Sequence, residues 1–248
     1  MDGRVVLYTG AAGGLGLQTT LDLLSKGAVV IAVDNDVRKV AELEAAAAES
    51  NAGRLVVSTV DLSDLDAFRA ELARRVETLG NIDVVINNAA IYPSKPFEEF
   101  SIEEYQRVQR VNVDAAVVAV QVALPGMKAQ RRGRIINISS ITLSGGWANL
   151  SPYVASKGAL VGLTRAWARE FGPYGVTVNA IAPGAFPTDA EKIHPDPDEY
   201  NRQVLERQSI KRRGLVSDIG HAIEFFAGDD AGFITGQTLH VNGGWVMQ

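Results

Sequence analysis

The chain has 248 residues, of which 46% are hydrophobic and 21% are charged, and its formal net charge is −5 at pH 7. This balance suits a globular chain with a sizeable core and excludes a mainly disordered one. The acidic balance argues against a nucleic-acid-binding surface, and the lack of cysteine excludes disulfides, thiolate metal sites and a cysteine nucleophile. Only three histidines occur, without metal-ligand spacing, so we expect no metal site.

The apolar segments are too short to suggest a membrane span. The longest of them, residues 113–124, contains Asp114 and Gln121 and is followed by Pro125, whereas a span needs about 20 apolar residues. The first residues lead into a strand-like run without the pattern of a cleavable signal. We therefore expect a soluble, cytoplasmic protein that binds neither membranes nor nucleic acid.

Short apolar runs alternate with longer helical patterns along the chain. Most of these runs are continuously apolar, as is typical of parallel strands covered on both faces. The predicted strands are residues 4–9, 29–34, 55–61, 83–89, 134–140, 177–183 and 238–241. Helical patterns between them include residues 16–26, 37–50, 64–78 and 152–171. The alternation predicts one α/β domain over residues 1–248, with a doubly wound, Rossmann-type, mostly parallel seven-stranded sheet and helices on both faces.

Residues 186–213 depart from this alternation. Twelve of these 28 residues are charged, and Pro187, Pro195 and Pro197 break the start of the segment. It follows the sixth strand, and open α/β sheets bind ligands outside the carboxyl ends of their strands. We therefore predict a substrate lid here; a solvated surface helix is the alternative.

A glycine-rich turn joins the first strand to the first helix. Such a turn lets a pyrophosphate approach the helix N-terminus, where N–H groups and the helix dipole favour an anion. Asp34 ends the second strand, where its carboxylate can accept hydrogen bonds from ribose hydroxyls and repel a 2′-phosphate, which favours NAD over NADP. An N-cap role for Asp34 is the alternative. The turn residues predicted to bind the dinucleotide are Gly10, Gly13, Gly14, Leu15 and Gly16.

Three polar residues form a candidate catalytic set. Ser140 closes the fifth strand, and Tyr153 and Lys157 lie four residues apart on one face of the next helix. An ammonium about 4 Å from a phenol is worth ~4 kcal/mol at an effective dielectric of ~20, enough to bring the phenol pKa close to neutrality. The pair predicts a proton-transfer catalyst. Without a nucleotide site, a surface cation and a core aromatic residue would be the more ordinary explanation.

Together these motifs resemble those of the short-chain dehydrogenase/reductase family over essentially the whole chain. The glycine turn and the Ser140, Tyr153 and Lys157 set fall at that family's order and spacing. The further matching motifs are Asp61-Leu62, Asn87-Asn88-Ala89-Ala90, Asn112, Asn179 and Pro183-Gly184. The resemblance implies an NAD-dependent enzyme that interconverts a secondary alcohol and its ketone by direct hydride transfer, without a metal.

The resemblance also implies a role for each site residue. Tyr153 would exchange a proton with the substrate oxygen, and Lys157 would lower its pKa and bind the nicotinamide ribose. Ser140 would hold the substrate oxygen, and Asn112 would anchor a water linking Lys157 to solvent. Further cofactor contacts are expected from Asp61, Leu62, Asn88, Ala89, Pro183, Gly184, Phe186 and Thr188.

The predicted substrate pocket is mostly apolar and aromatic, which suits a compact secondary alcohol or ketone. Beside Ser140 and Tyr153 we expect it to contain Tyr92, Thr142, Trp147, Leu150 and Phe186, with Ile91, Pro93, Leu143 and His194 nearby. Trp147 could equally pack against a neighbouring loop.

Three other functions stay open. A 3-oxoacyl-carrier-protein reductase of this family usually prefers NADP and grips an acidic carrier with arginines; Arg131 could serve, but Tyr174 stands at the second position and Asp34 disfavours NADP. A sugar or polyol dehydrogenase is the next alternative, and a non-catalytic dinucleotide-binding regulator is the last.

A helix over residues 113–124 would be apolar on nearly all sides, and the family forms tetramers through its central helices, so we expect a homotetramer or homodimer.

Overall fold

The computed structural model describes residues 1–48, 54–189, 191 and 195–247. Within these residues seven strands form one sheet in the order β3-β2-β1-β4-β5-β6-β7, and every neighbouring pair is parallel. The strands are β1 Val5–Thr9, β2 Val29–Asp34, β3 Arg54–Thr59, β4 Val84–Asn87, β5 Gly133–Ile138, β6 Val176–Pro183 and β7 Thr238–Val241. The strand order reverses between β1 and β4, which confirms the predicted doubly wound sheet.

Nine helices are described in the same ranges, several of them continued by short helical turns. They are α1 Gly16–Ser25, α2 Val37–Ala48, α3 Leu65–Leu79, α4 Ile102–Gln109, α5 Ala115–Gln130, α6 Thr142–Gly145, α7 Ser151–Phe171, α8 Pro197–Arg207 and α9 Val216–Ala227. The helices predicted over residues 16–26, 37–50, 64–78 and 152–171 correspond to α1, α2, α3 and α7. Residues 49 and 50 of the second predicted helix lie outside the described residues.

The continuous apolar runs arise because both faces of the sheet are covered. In β1, Tyr8 packs in one hydrophobic cluster with residues of α1 and α9, whereas Leu7 packs in a second cluster with residues of α3 and α5. Successive side chains of a strand point to opposite faces, so each face needs its own apolar set. Two cores therefore hold the sheet from both sides.

The helix predicted over residues 113–124 is longer at both ends. α4, a π-helical turn over Arg110–Asp114 and α5 form one continuous helix, and Pro125 lies inside it rather than after its end. Proline has no N–H for the carbonyl four residues earlier, here Gln121. Both residues are exposed, so water can satisfy that carbonyl.

The resulting helix, Ile102–Gln130, is long and apolar enough to cross a membrane by length and composition alone. A core helix passes the same test, and the inner face of this one packs in the second hydrophobic cluster through Ala119, Ala123 and Met127. Its outer face carries the exposed Asp114 and Gln121 and only partly covered valines.

Candidate active site

A cavity of about 470 Å³ opens at the carboxyl edge of the sheet, at the switch between β1 and β4. With the exceptions of Gly16 and Asn112, every predicted cofactor, substrate and catalytic residue lines it. Those residues are Gly10, Gly13, Gly14, Leu15, Asp34, Asp61, Leu62, Asn88, Ala89, Tyr92, Ser140, Thr142, Trp147, Leu150, Tyr153, Lys157, Pro183, Gly184, Phe186 and Thr188. The fold thus brings the glycine turn and the candidate catalytic set into one cavity.

Asp34 holds the glycine turn against the end of β2. One carboxylate oxygen accepts the N–H of Ala12 at 3.1 Å, and the other accepts the N–H of Asp36 at 3.1 Å. The N-cap role falls to Asp36, which accepts the N–H groups of Arg38 and Lys39 at 3.1 and 3.2 Å. Asp34 therefore faces the cavity as a carboxylate that helix capping does not explain.

The start of α1 is built to accept an anion. No side chain caps it at Leu15, which leaves its start open to a ligand, although the Leu17 N–H already donates to the carbonyl oxygen of Gly13 at 2.9 Å. Gly16 lies beneath the turn, where an added methyl group would come 2.1 Å from the carbonyl oxygen of Gly10. Gly16 therefore acts through close packing of the turn and does not line the cavity.

Asn88 ties the end of β4 to the same turn. Its amide nitrogen donates to the carbonyl oxygens of Thr9 and Gly10, both at 3.1 Å. In return, the Thr9 hydroxyl accepts the N–H groups of Asn88 and Ala89. The turn is thus fixed before any ligand arrives, which lowers the entropy lost on binding.

Ser140, Tyr153 and Lys157 converge at the opposite end of the cavity. The Ser140 hydroxyl oxygen accepts hydrogen bonds from the Thr142 N–H at 3.1 Å and the Thr142 hydroxyl at 3.0 Å. The Lys157 ammonium lies 5.4 Å from the centre of the Tyr153 ring and donates to the carbonyl oxygen of Ile138 at 2.7 Å. The predicted catalytic set is therefore spatially adjacent.

Burial governs the protonation of this pair. It raises the pKa of Tyr153 to about 12, which a hydrogen bond with Ser140 opposes, and lowers the pKa of Lys157 to about 7. We expected Lys157 to bring the phenol pKa close to neutrality, but in this cavity the loss of hydration raises it instead. Tyr153 thus carries its proton at neutral pH.

Asn112 lies behind the cavity. It is buried in the π-helical turn, where its side chain accepts the N–H of Ile91 at 2.8 Å and donates to the Ile91 carbonyl at 3.0 Å. It also donates to the Ser156 hydroxyl at 3.0 Å, and that hydroxyl donates to the carbonyl oxygen of Tyr153 at 2.7 Å. Asn112 therefore links the chain after β4 to the turn of α7 that carries Tyr153. Its expected role as a water anchor stays a prediction.

The end of the cavity around Tyr153, where we predicted the substrate pocket, is aromatic. Tyr92 meets the Tyr153 ring edge-on, with centroids 6.0 Å apart. Trp147 both lines the cavity and packs on Trp245, so its two predicted roles coexist. Among the nearby residues expected here, Ile91 lines the cavity and Pro93 and Leu143 do not; His194 lies outside the described residues.

Two basic residues that line the cavity, Lys39 and Arg107, were not predicted from the sequence. Lys39 lines the cavity with Asp34 and forms an ion pair with Asp189 at 2.8 Å that raises the pKa of Lys39. Arg107 lines the cavity from α4. The spacing of Lys39 from Asp36, one helical turn, was the signal that could have placed it near Asp34.

Comparisons with known proteins agree with one another on the family. The family model described as enoyl-(acyl carrier protein) reductase matches residues 10–246. The chain is 33% identical over 248 residues to the 3-oxoacyl-(acyl-carrier-protein) reductase FabG of Thermotoga maritima, covering 100% of this chain and 99% of that one. It is 34% identical over 242 residues to subunit BbsD of the hydroxy(phenyl)methylsuccinyl-CoA dehydrogenase of Thauera aromatica, covering 97% and 96%.

Solved structures agree with these relatives. The crystal structure of levodione reductase superimposes with a TM-score of 0.92 at 31% identity, covering 98% of each chain. The match extends over the whole fold and includes the elements that form the cavity. The chain therefore belongs to the short-chain dehydrogenase/reductase family of oxidoreductases.

Proposed function

We propose that the protein is an NAD-dependent oxidoreductase that interconverts a secondary alcohol and its ketone. The observation that carries this proposal is the convergence of Ser140, Tyr153 and Lys157 in one cavity with the uncapped start of α1 and Asp34. One end of the cavity suits a dinucleotide, and the other suits proton exchange with a small substrate.

The residues present fit a nicotinamide dinucleotide. The glycine turn and the N–H groups at the start of α1 would hold the pyrophosphate, and Asp34 would accept the adenosine ribose hydroxyls. Asp61, Leu62, Asn88 and Ala89 would flank the adenosine, and the residues after β6 would contact the nicotinamide end. When bound, the nicotinamide ring supplies or accepts the hydride.

Tyr153 would exchange the proton that accompanies this transfer. Because its pKa is raised, the phenol is protonated at neutral pH and suits proton donation to a ketone oxygen. Ser140 would hold that oxygen by a hydrogen bond, and Lys157 would supply positive charge beside the phenol. In the oxidative direction, the same tyrosine must first lose its proton, so that reaction should favour higher pH.

The charge of the adenosine end supports NAD rather than NADP. Asp34 would lie against a 2′-phosphate, and Asp36 beside it also lines the cavity. Lys39 is the nearby cation, but Asp189 already holds it. Like charges in contact disfavour binding, so a second phosphate at this end would be poorly compensated.

A 3-oxoacyl-(acyl-carrier-protein) reductase is the second candidate. The names of the T. maritima relative and of several other similar proteins favour it. Asp34 argues against it, because we expect such reductases to use NADP. A sugar or polyol dehydrogenase is a weaker alternative, since the substrate end is mostly apolar. A non-catalytic regulator would not need Ser140, Tyr153 and Lys157 together.

Three further proposals concern the whole molecule. We infer that the chain forms one domain and that the described parts of residues 186–213 act as a lid. Thr188 of this segment lies against Gly14, since a methyl group added at Gly14 would come 2.6 Å from the Cβ of Thr188. We infer a homotetramer, or a homodimer, in which a partner covers the outer face of α5. We infer that the protein works in the cytoplasm.

The experiment is a rate screen that follows the absorbance of reduced nicotinamide. Secondary alcohols, polyols, sugars and hydroxyacyl thioesters are each tested with NAD and with NADP. We expect turnover of a secondary alcohol class with NAD. Turnover only of acyl thioesters with NADP would replace this proposal with the second candidate. Coenzyme binding without any turnover would favour the regulator.

A further inference from the structure

We propose that Trp245 is a positioning residue that sets substrate size, by holding the indole of Trp147 as a wall of the substrate pocket. The inference rests on the proposed function, because it concerns the substrate end of the same cavity. Trp245 does not line that cavity; it lies behind the residue that does.

Trp147 stands between two cavities. Trp147 lines the cavity that contains Ser140 and Tyr153, and it also lines a second, open cavity of about 300 Å³. The second cavity is lined by Trp245 and Arg207. An indole with open space behind it can swing out of the pocket unless something holds it in place.

Two contacts hold it. At Gly145, an added methyl group would come 2.2 Å from the indole carbon Cζ3, so the ring rests directly on the backbone of that glycine. The Trp245 ring also lies against the indole, with centroids 5.6 Å apart and an angle of 54° between the planes. Aromatic rings at this separation and tilt attract each other beyond the effect of the area they bury.

Trp245 is itself held firmly. The buried side chain of Asn242 accepts the backbone N–H groups of Gly244 and Trp245 at 2.8 and 3.1 Å, and donates to the carbonyl oxygen of Val246 at 2.8 Å. These bonds fold the chain after β7 into a turn that aims the indole at Trp147. The residues after β7 thus form a fixed support for the Trp147 indole.

The lid segment completes the arrangement. The guanidinium of Arg207, at the end of α8, lies 5.7 Å from the centre of the Trp245 ring. A cation over an indole face is attracted by the ring quadrupole, most strongly for arginine and tryptophan. A stack of three side chains, Arg207, Trp245 and Trp147, therefore runs from the lid segment through the residues after β7 to the pocket wall.

The test compares Trp245→Ala with Trp245→Phe, which keeps an aromatic ring. The substrates are phenylethanol and the one-ring-larger naphthylethanol, or the smaller and larger members of whichever class the wild type uses. We expect Trp245→Ala to lower the preference for the smaller substrate about tenfold, the scale of a lost contact in an apolar pocket. The change should appear as a higher KM for the smaller substrate with kcat little altered. Trp245→Phe should restore the wild-type preference.

A spectroscopic measurement shows that the stack itself has changed. Two indoles in contact at an angle, as here at 54°, give an exciton couplet in circular dichroism, and the chain has three tryptophans. The couplet should vanish in both Trp245 variants and persist in Trp167→Phe, the matched control, because Trp167 packs on Phe171 instead. Coenzyme binding reports whether each variant is folded.

Unchanged substrate preference in Trp245→Ala that binds coenzyme and has lost the couplet would overturn the inference alone. A wild-type couplet that survives Trp245→Phe would overturn it as well. A wild type that turns over no substrate contradicts the proposed function and removes the inference with it.

Discussion

The ammonium nitrogen of Lys39 lies 2.8 Å from a carboxylate oxygen of Asp189, and this ion pair joins α2 to the segment after β6 across the cavity. Both side chains are partly exposed, at 26% and 49%, so the pair contributes only about 0–1 kcal/mol to stability. Its position matters more than its strength, because it connects the end of the cavity where we propose that the adenosine binds to the start of the proposed lid segment.

Lys39→Met should therefore change coenzyme choice rather than stability. We expect residual turnover with NADP to fall about tenfold, equivalent to 1.4 kcal/mol, because the variant lacks the nearest cation for a 2′-phosphate. Turnover with NAD should change much less, as kcat/KM for both coenzymes will show. Lys26→Met, which removes a comparable pair with Glu224 outside the cavity, is the control. A selective loss with NAD would contradict this account.

Asp34→Ser should relax the preference for NAD. The variant removes the carboxylate that would repel a 2′-phosphate, so we expect the ratio of kcat/KM for NAD to that for NADP to fall about tenfold or more. Asp36→Asn serves as the control, since it removes a neighbouring charge while an amide oxygen can still cap α2. If the wild type already uses NADP better than NAD, our interpretation of Asp34 is wrong.

The lowered pKa of Lys157 leads to a prediction about how the stability of the fold depends on pH. Its pKa is about 7 in the folded protein and higher in the unfolded chain, so above pH 7 the unfolded state binds more protons. The contribution of this lysine to stability therefore rises with pH between about 7 and 10, by on the order of a few kcal/mol. The raised pKa of Tyr153 has the opposite effect, lowering stability as pH rises, but only above the ordinary tyrosine pKa of about 10.

Urea unfolding of the wild type and of Lys157→Met at pH 7, 8 and 9 isolates this effect, since other groups cancel in the difference. We expect the wild type to gain stability relative to the variant as pH rises. A difference that does not vary with pH would show that Lys157 titrates normally in the folded protein.

A buried series of side-chain hydrogen bonds leads to a prediction about the free energy of unfolding. The Asn87 amide donates to the Asn137 side-chain oxygen at 2.8 Å, and the Asn137 amide donates to the Thr164 hydroxyl at 2.8 Å, which links β4, β5 and α7. Asn137→Ala leaves the buried Asn87 amide without its acceptor, whereas the Thr164 hydroxyl keeps its bond to the carbonyl oxygen of Leu160. The variant should cost about 1–3 kcal/mol of unfolding free energy, measured in urea. Gln130→Ala, exposed at the end of α5, should cost little. A loss below about 0.5 kcal/mol for Asn137→Ala would contradict this reasoning.

Local patterns predicted most of the fold and the residues around the cavity. Continuous apolar runs located all seven strands, and the spacing of Tyr153 and Lys157 placed them on one helical face beside Ser140. Long-range relationships were out of reach. The Lys39 pair with Asp189 and the contact of Trp147 with Trp245 join residues far apart in the chain. The continuation of α5 through Pro125 depends on exposure to water. The pKa values depend on burial, which spacing alone does not reveal.

The most direct measurement is the turnover of Tyr153→Phe in the wild-type reaction, with coenzyme binding measured alongside. Loss of the hydroxyl removes the proton donor and leaves the ring in place, so kcat should fall about 10²- to 10⁴-fold while the coenzyme Kd stays close to that of the wild type. Tyr174→Phe, at a partly exposed position outside the cavity, should behave as the wild type. A Tyr153→Phe variant that keeps most of its turnover would contradict the assignment of Tyr153 as the acid/base and, with it, the central claim.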